Sequence, residues 1–243
     1  MGFSPLTAIF IPLVGALFIG ATGKQPNLRE TVTLVTALAL FAGVTTMVPT
    51  AMQGRSETIE VLQVLPGLPL AFHIEPLGMI YALIASGLWI LNSIYSIGYM
   101  RGNHEKNQTR FFICFSTSIA CVMGIAFSAN MLTLFIFYEA LSLSTFPLVT
   151  HNAPKPEAVR SGRVYLGILV GTSVTLMLPA MIATYLWTGS LDFVEGGVFR
   201  GALASGDISP GLFGLIFAMF VYGIGKAALM PSHRWLPAAM VAP

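Results

Sequence analysis

The chain has 243 residues, of which 55% are hydrophobic and only 9% are charged. Soluble domains contain about 25% charged residues, so this composition excludes a soluble globular fold. The formal net charge is only +2, and no basic stripe with interleaved aromatic residues indicates a nucleic-acid partner. Several apolar runs reach the roughly 18 residues needed to cross a hydrocarbon core about 30 Å thick. The sequence therefore predicts an all-α, polytopic transmembrane helix bundle.

Seven hydrophobic segments predict about seven transmembrane helices. The first lacks a basic stretch and a cleavage site, so it predicts a retained helix rather than a signal peptide. We expect one transmembrane domain over residues 1–243, with three helices in 1–110 and the remaining four in 111–243. The segments are Leu6–Thr22, Thr31–Ala51, Gly78–Ile97, Phe111–Ala129, Met131–Thr150, Val164–Trp187 and Gly211–Met230.

Between the second and third segments the pattern changes from helical to strand-like. Leu70, Phe72 and Ile74 alternate with a set that includes His73 and Glu75, after a Pro66–Gly67 turn signal. This alternation predicts a short β-hairpin at the membrane interface.

Basic residues are distributed unequally between the two predicted sides of the membrane. Because cytoplasmic loops carry the excess of Lys and Arg, the basic side is predicted to be cytoplasmic and the N-terminus to lie outside. This fits a multi-pass protein of the cell (inner) membrane. The basic side carries Lys24, Arg29, Arg101, Lys106, Arg110, Lys155, Arg160 and Arg163, and the other side carries only Arg55 and Arg200.

Two charged residues fall well inside apolar segments, Glu139 in the fifth and Lys226 in the seventh. A charge at the centre of a helix costs about 2.5–3.5 kcal/mol on insertion scales, so such residues face a bundle interior or an aqueous cavity and usually pair. Pro231 is predicted to break the seventh helix, because it lacks an N–H group and its ring clashes with the preceding turn. The pattern predicts a proton relay gated by a Glu139–Lys226 pair, and the alternative is an ion pair that only locks two helices.

Three further residues are candidates near these two. His233 follows the predicted break and is either a third proton carrier or a residue that satisfies carbonyls freed by the break. Arg234 is interpreted as a structural or interfacial partner. His151 flanks the fifth segment and is interpreted as a loop residue, with a proton entry path as the alternative.

No cofactor or metal is predicted. Cys114 and Cys121 are seven residues apart, which is about 10 Å along a helix and too far for a disulfide. Neither has a further Cys or His at metal-ligand spacing. The chain also lacks a ligand set for flavin, haem or an iron–sulfur cluster, so any redox chemistry of a complex would reside in other subunits.

A specific combination of residues is spread over three stretches of the chain. They are FIFYEALSLSTFPLVTH from Phe135, GRVYLGILVGTS from Gly162 and GKAALMPSHRWLPAAMVAP from Gly225. A central glutamate precedes the pattern K-x4-P-x-H-x-W-L-P. The combination resembles the antiporter-like subunits of Mrp cation/proton antiporters, D-type branch, whose superfamily includes proton-pumping membrane subunits of respiratory complex I and membrane-bound hydrogenases.

The resemblance implies a fold of about fourteen helices with two inverted five-helix repeats and proton paths through broken helices. It places the family's fifth-helix glutamate on Glu139 and its seventh-helix lysine on Lys226. The residue after WLP is commonly acidic in the family but is Ala238 here. Since the family continues into an eighth helix and a second repeat, we expect a second polypeptide to supply the C-terminal half, or the chain to be a fragment.

Three functions follow as hypotheses. The leading one is a proton-conducting subunit, or its N-terminal half, of a multi-subunit monovalent cation/proton antiporter that exchanges Na⁺ or K⁺. The second is a proton-pumping membrane subunit of a complex I-like quinone or hydrogenase complex. The third is a non-transporting assembly module. In each case the expected partners are other membrane subunits and the lipid bilayer.

Overall fold

The computed structural model describes residues 3–54, 57–65, 67–151, 156–240 and 242. Helices dominate this part of the chain, as predicted. The helices are α1 (Pro5–Ala21), α2 (Pro26–Gln53), α3 (Pro76–Gly102), α4 (Gln108–Ala126), α5 (Met131–Val149), α6 (Pro156–Thr172), α7 (Leu178–Thr188), α8 (Arg200–Ser205), α9 (Pro210–Gly223) and α10 (Trp235–Ala239).

The predicted hairpin is confirmed as a two-stranded sheet of β1 (Ile59–Leu65) and β2 (Leu68–Phe72). Its second strand overlaps the alternating run only at residues 70–72, and Ala71 and Phe72 are buried. Pro66 of the predicted turn lies outside the described residues, as do Arg55 and Lys155 of the predicted charge pattern.

Five helical segments of the described chain are long and apolar enough to span a membrane, and two shorter apolar helices, α1 and α9, accompany them. The prediction of about seven membrane helices is thus confirmed. Their outward faces are strongly apolar: Leu17, Leu77 and Leu186 are 74%, 79% and 77% exposed. Apolar patches of this kind are unusual on soluble monomers and suit contact with lipid.

The chain divides into two compact units, and the predicted single domain with a division after residue 110 stays a prediction. The first unit comprises Met1–Glu60, Ala71–Ser128 and Thr133–Leu148, and the second comprises Val61–Leu70, Ala129–Leu132 and Val149–Pro243.

In the first unit, α1 packs on α2 and α4, and α3 packs on α2 and α4. The Ser116 hydroxyl donates to the Pro12 carbonyl at 2.7 Å and so ties α4 to α1. Both free cysteines, Cys114 and Cys121, lie in α4.

An ion network with two buried members, Arg29 and Glu30, and an exposed one, Arg101, joins α2, α3 and α4. Arg29 and Glu30 are only 4% and 6% exposed. Arg101 donates to both carboxylate oxygens of Glu30, at 2.9 and 2.5 Å, and Arg29 donates to Gln108 at 2.8 Å. The sequence interpretation counted Arg29 and Arg101 only as markers of the basic side. Arg101, through its two contacts with the shielded Glu30 carboxylate, ties α3 to α2. Arg29 ties α2 to α4 through Gln108.

In the second unit the sixth apolar segment is interrupted by a π-helical turn, Ser173–Met177. Pro179 follows the turn and has no N–H with which to continue the regular pattern. The turn contacts α6, α7 and α9. π-Bulges of this type are rare and are often found at functional sites.

The seventh apolar segment differs most from its prediction. The expected helix ran to Met230 and broke at Pro231, whereas α9 ends at Gly223. At 1.5 Å per residue, the 14 residues of α9 span about 21 Å, which is less than a hydrocarbon core of about 30 Å. The crossing must therefore include the irregular segment that follows.

Candidate functional site

Lys226 lies within the helix break rather than ahead of it. After α9 ends, Gly225–Ala227 forms a single 3₁₀ turn. Ala228 then adopts a left-handed conformation with φ of 52°, which L-residues with a Cβ rarely adopt. A second 3₁₀ turn, Ser232–Arg234, leads into α10. The prediction that Lys226 belongs to the helix body is wrong, because Lys226 lies in a single 3₁₀ turn whose flanking residues, Ile224 and Ala228, are not helical.

Two glycines explain why the break comes so early. A Cβ on Gly223 would lie 2.6 Å from the backbone nitrogen of Met177 in the π-helical turn, and a Cβ on Gly225 would collide with the Thr172 hydroxyl. Both contacts depend on the missing side chain. Because Pro231 also removes a helical donor, the sequence from Gly223 to Pro231 contains three residues unfavourable to a continuous helix.

Trp235 fixes the geometry of the break. Its indole N–H donates to the carbonyl of Gly225 at 2.8 Å, and that carbonyl also accepts from the backbone N–H of Ala228 at 3.1 Å. The Trp235 ring meets the Tyr165 ring edge to face, with centroids 5.6 Å apart. Trp235 therefore satisfies a carbonyl freed beside Lys226, a role the sequence interpretation had considered for His233.

The two titratable residues of the break differ in exposure. The Lys226 side chain is partly buried, whereas His233 is exposed on the surface of this chain. Lys226 and His233 both belong to the second unit. The break thus carries an amine inside the fold and an imidazole at its surface.

Glu139 lies in α5 and belongs to the first unit. Its Oε1 atom is shielded from solvent, and no hydrogen-bond donor among the described residues reaches it. Leaving a buried acceptor without a partner costs about 1–3 kcal/mol, and more for a charged group. This orphaned oxygen suits a group that takes up a proton or a water molecule. The predicted pairing of Glu139 with Lys226 stays a prediction.

His151 lies in the turn that follows α5, as the loop interpretation expects, but it is only 3% exposed. Sequence reasoning also missed Trp235, Tyr165 and the glycines of the break as parts of the site. The spacing Gly223–Gly225 before Lys226 was a readable signal, because paired glycines disfavour a helix interior. Across the described residues, no group of three or more His, Cys, Asp or Glu side chains could hold a metal ion.

Replacing Gly223 with alanine tests whether close packing builds the break. We expect this variant to lower the free energy of unfolding by about 1–3 kcal/mol, the usual cost of overpacking. The matched control is Gly214→Ala in the same helix, where an added Cβ meets no atom within 4 Å. Thermal unfolding of the assembled, purified complex measures both variants. Equal midpoints would contradict the proposed origin of the break.

Two family models match the chain. Residues 128–243 match the family described as NADH:quinone oxidoreductase/Mrp antiporter, TM. Residues 67–112 match NADH-Ubiquinone oxidoreductase (complex I), chain 5 N-terminus. The first match contains Glu139, Lys226 and His233, and the second contains β2 and α3.

Curated relatives extend these matches. NAD(P)H-quinone oxidoreductase chain 5 of Picosynechococcus sp. is 26% identical over 96% of this chain and 37% of the relative. Hydrogenase-4 component B of Escherichia coli is 30% identical over 70% of this chain and 24% of the relative. NAD(P)H-quinone oxidoreductase subunit 5 of the chloroplast of Anthoceros angustus is 29% identical over 72% of this chain and 24% of the relative. The matches thus span between 24% and 37% of these relatives.

A solved structure shares the fold. A chain of the membrane-bound sulfane sulfur reductase, an archaeal respiratory membrane complex, superposes with a TM-score of 0.79 at 18% sequence identity. The superposition covers 98% of this chain and 47% of the other. At this identity the likeness describes the fold alone.

Proposed function

We propose that the chain conducts protons as part of a multi-subunit membrane complex. The basis is that it belongs to the superfamily of antiporter-like proton-translocating membrane subunits. The observation that carries the proposal is Lys226 in a break of a membrane helix. Non-helical backbone at membrane depth is tolerated only where it is buried in protein or lines a water-filled cavity. An ionisable side chain at such a point is a functional residue by default.

The proposed mechanism uses three residues. Glu139 takes up and releases a proton at the carboxyl oxygen that has no partner among the described residues. Lys226 carries the next proton in this proposal, because pairing with a carboxylate would stabilise the ammonium and withdrawal of that carboxylate would favour release. His233, exposed beyond the break, exchanges protons with the aqueous side of the path. Trp235 holds the backbone beside Lys226, so it is a positioning residue.

The proposed setting is the cell (inner) membrane, with the basic ends of the helices in the cytoplasm and the N-terminus outside. The partners are other membrane subunits. We further propose that sequence corresponding to the remainder of the longer relatives, on a second polypeptide or on a longer form of this one, completes the proton path. The mass of the native polypeptide distinguishes these two sources.

Two types of complex are candidates. A redox-driven complex is favoured by the relatives, which are named as subunits of quinone oxidoreductases and of a hydrogenase. A cation/proton antiporter of the Mrp type is favoured by the D-type resemblance of the Glu139 and Lys226 segments. The family model that matches residues 128–243 has both kinds of complex in its description.

Proton movement in vesicles that contain the assembled complex tests the function and separates the candidates. A pH-sensitive dye inside the vesicles reports acidification or alkalinisation. In an antiporter, an imposed Na⁺ or K⁺ gradient drives proton movement. In a redox complex, electron donor and quinone drive it instead. If neither drives proton movement in vesicles that retain the chain, the proposed function is wrong.

A further inference from the structure

Three arginines of the second unit line one surface groove. Arg160 and Arg163 come from the first turns of α6, and Arg234 comes from the 3₁₀ turn before α10. The wall between them is formed by Val164, Gly167 and Ile168. The groove therefore joins the start of α6 to the segment that follows the helix break.

The three guanidinium groups are exposed, and among the described residues no hydrogen bond or ion pair engages them. No acidic residue is among the described side chains that line the groove. Each guanidinium offers five N–H donors in a planar fork that matches phosphate oxygens. Three such groups, with no acceptor among the described residues, are chemically suited to a phosphate-bearing anion.

The depth of the groove in the membrane indicates which phosphate-bearing anion it meets, a lipid headgroup. The span Pro156–Thr188 has 33 residues, about 50 Å of helix, whereas the hydrocarbon core is about 30 Å thick. The surplus of about 20 Å, divided between both ends, puts the first six or so residues of α6 at headgroup level. Arg160 and Arg163 thus lie at or near the height of lipid phosphates, while Gly167 and Ile168 lie a turn deeper.

The wall between the arginines is open and apolar. Gly167 is exposed, and a Cβ built on it meets no atom within 4 Å. Val164 and Ile168 flank it on the same helix with apolar side chains. An open apolar wall below three cations matches the two parts of a phospholipid, and basic pockets at helix ends are known binding places for anionic headgroups.

We propose that this groove binds the headgroup of an anionic phospholipid and that the lipid bridges α6 to the segment containing Arg234. The binding does not depend on proton transport. The bridge would anchor the segment after the break to the start of α6 through a shared phosphate. We expect it to use paired N–H contacts from at least two of the arginines.

Lipid counting on the purified complex tests the proposal. The complex is incubated with phosphatidylglycerol or phosphatidylcholine micelles, washed, and analysed for bound lipid by native mass spectrometry. The combined variant Arg160→Gln, Arg163→Gln, Arg234→Gln should retain one phosphatidylglycerol fewer per chain than the unmodified protein, with phosphatidylcholine unchanged. The control variant Lys24→Gln, Lys106→Gln, Arg200→Gln loses the same formal charge at exposed positions outside the groove and should retain the lipid.

Three outcomes would overturn the proposal. If both variants retain as much phosphatidylglycerol as the unmodified protein, the groove is not the site. If both variants lose the same amount of lipid, the loss is an unspecific effect of charge. Displacement of the lipid by millimolar inorganic phosphate shows a free-anion site instead.

A measurement on the unmodified complex removes any dependence on how the variants fold. A phosphatidylglycerol with a photoreactive acyl chain should label the peptide that contains Gly167 and Ile168. Absence of label from this peptide contradicts the proposal. A neighbouring subunit that covers the groove would give this result.

Discussion

Replacing Glu139 with glutamine is expected to abolish proton movement through the assembled complex while leaving assembly intact. Glutamine keeps the size and the hydrogen-bonding capacity of the side chain but cannot take up and release a proton at neutral pH. The loss should be about a hundredfold or more, because positioned proton donors and acceptors contribute at least about that factor to proton-transfer rates. Dye-reported proton flux per assembled complex in vesicles measures the effect.

The control for this variant is Glu157→Gln. Glu157 is exposed in the first turn of α6, so its amide variant should transport protons like the unmodified protein. If Glu139 only locked helices, the glutamine variant would assemble poorly yet keep its flux per complex. Full flux in Glu139→Gln would remove Glu139 from the proton path.

Glu139 also shows how far sequence reasoning reaches into a membrane fold. The cost of a mid-membrane charge identified it without any structural knowledge. Apolar runs similarly located the membrane helices, because the bilayer imposes both their length and their hydropathy. The helix predictions succeed because they rest on local composition alone, whereas the role of Glu139 stays a prediction.

The predicted starts of the helices were less accurate than the prediction that the helices exist. Proline marks several of these starts, and apolar runs alone do not include it. Proline at the first helical position loses only an N–H that has no partner in any case. Apolar runs alone placed Arg29 and Glu30 outside the second helix, whereas both lie in its first two turns. Five described helices, α1, α2, α3, α6 and α9, begin with Pro5, Pro26, Pro76, Pro156 and Pro210.

The features that sequence reasoning missed depend on contacts between distant parts of the chain. Trp235 reaches Gly225 across a helix break, and Gly223 packs on a π-helical turn in another segment. Arg29 is buried because Gln108 and Thr109 in α4 accept its hydrogen bonds. Local periodicity carries no information on such partners, so the position of the break and the burial of Arg29 required coordinates.

Lys226 should be more sensitive to substitution than any other basic residue of the chain. Replacing it with alanine removes the amine from the break, and we expect proton flux to fall by about a hundredfold. Lys24→Ala is the control, because Lys24 is exposed between α1 and α2 and the same change there should leave flux unchanged. The measurement is again flux per assembled complex, with assembly quantified separately.

Lys226→Arg separates a proton carrier from a fixed charge. Arginine keeps the positive charge, but its guanidinium does not release a proton in proteins. A residue that only locks helices through an ion pair would tolerate arginine, whereas a proton carrier would not. We therefore expect Lys226→Arg to assemble normally and to lose flux nearly as severely as Lys226→Ala. Wild-type flux in the arginine variant would contradict the relay.

The combined variant Glu139→Gln, Lys226→Ala tests whether the two residues act on one path. Residues that serve one relay lose function together, so the combined loss should equal that of either single variant rather than their product. Two independent paths would give a further drop in the double variant. If all three variants reduce assembly but leave flux per complex unchanged, the chain is an assembly module. Because a non-additive loss requires both residues on the same proton route, this measurement decides between a relay and two isolated buried charges.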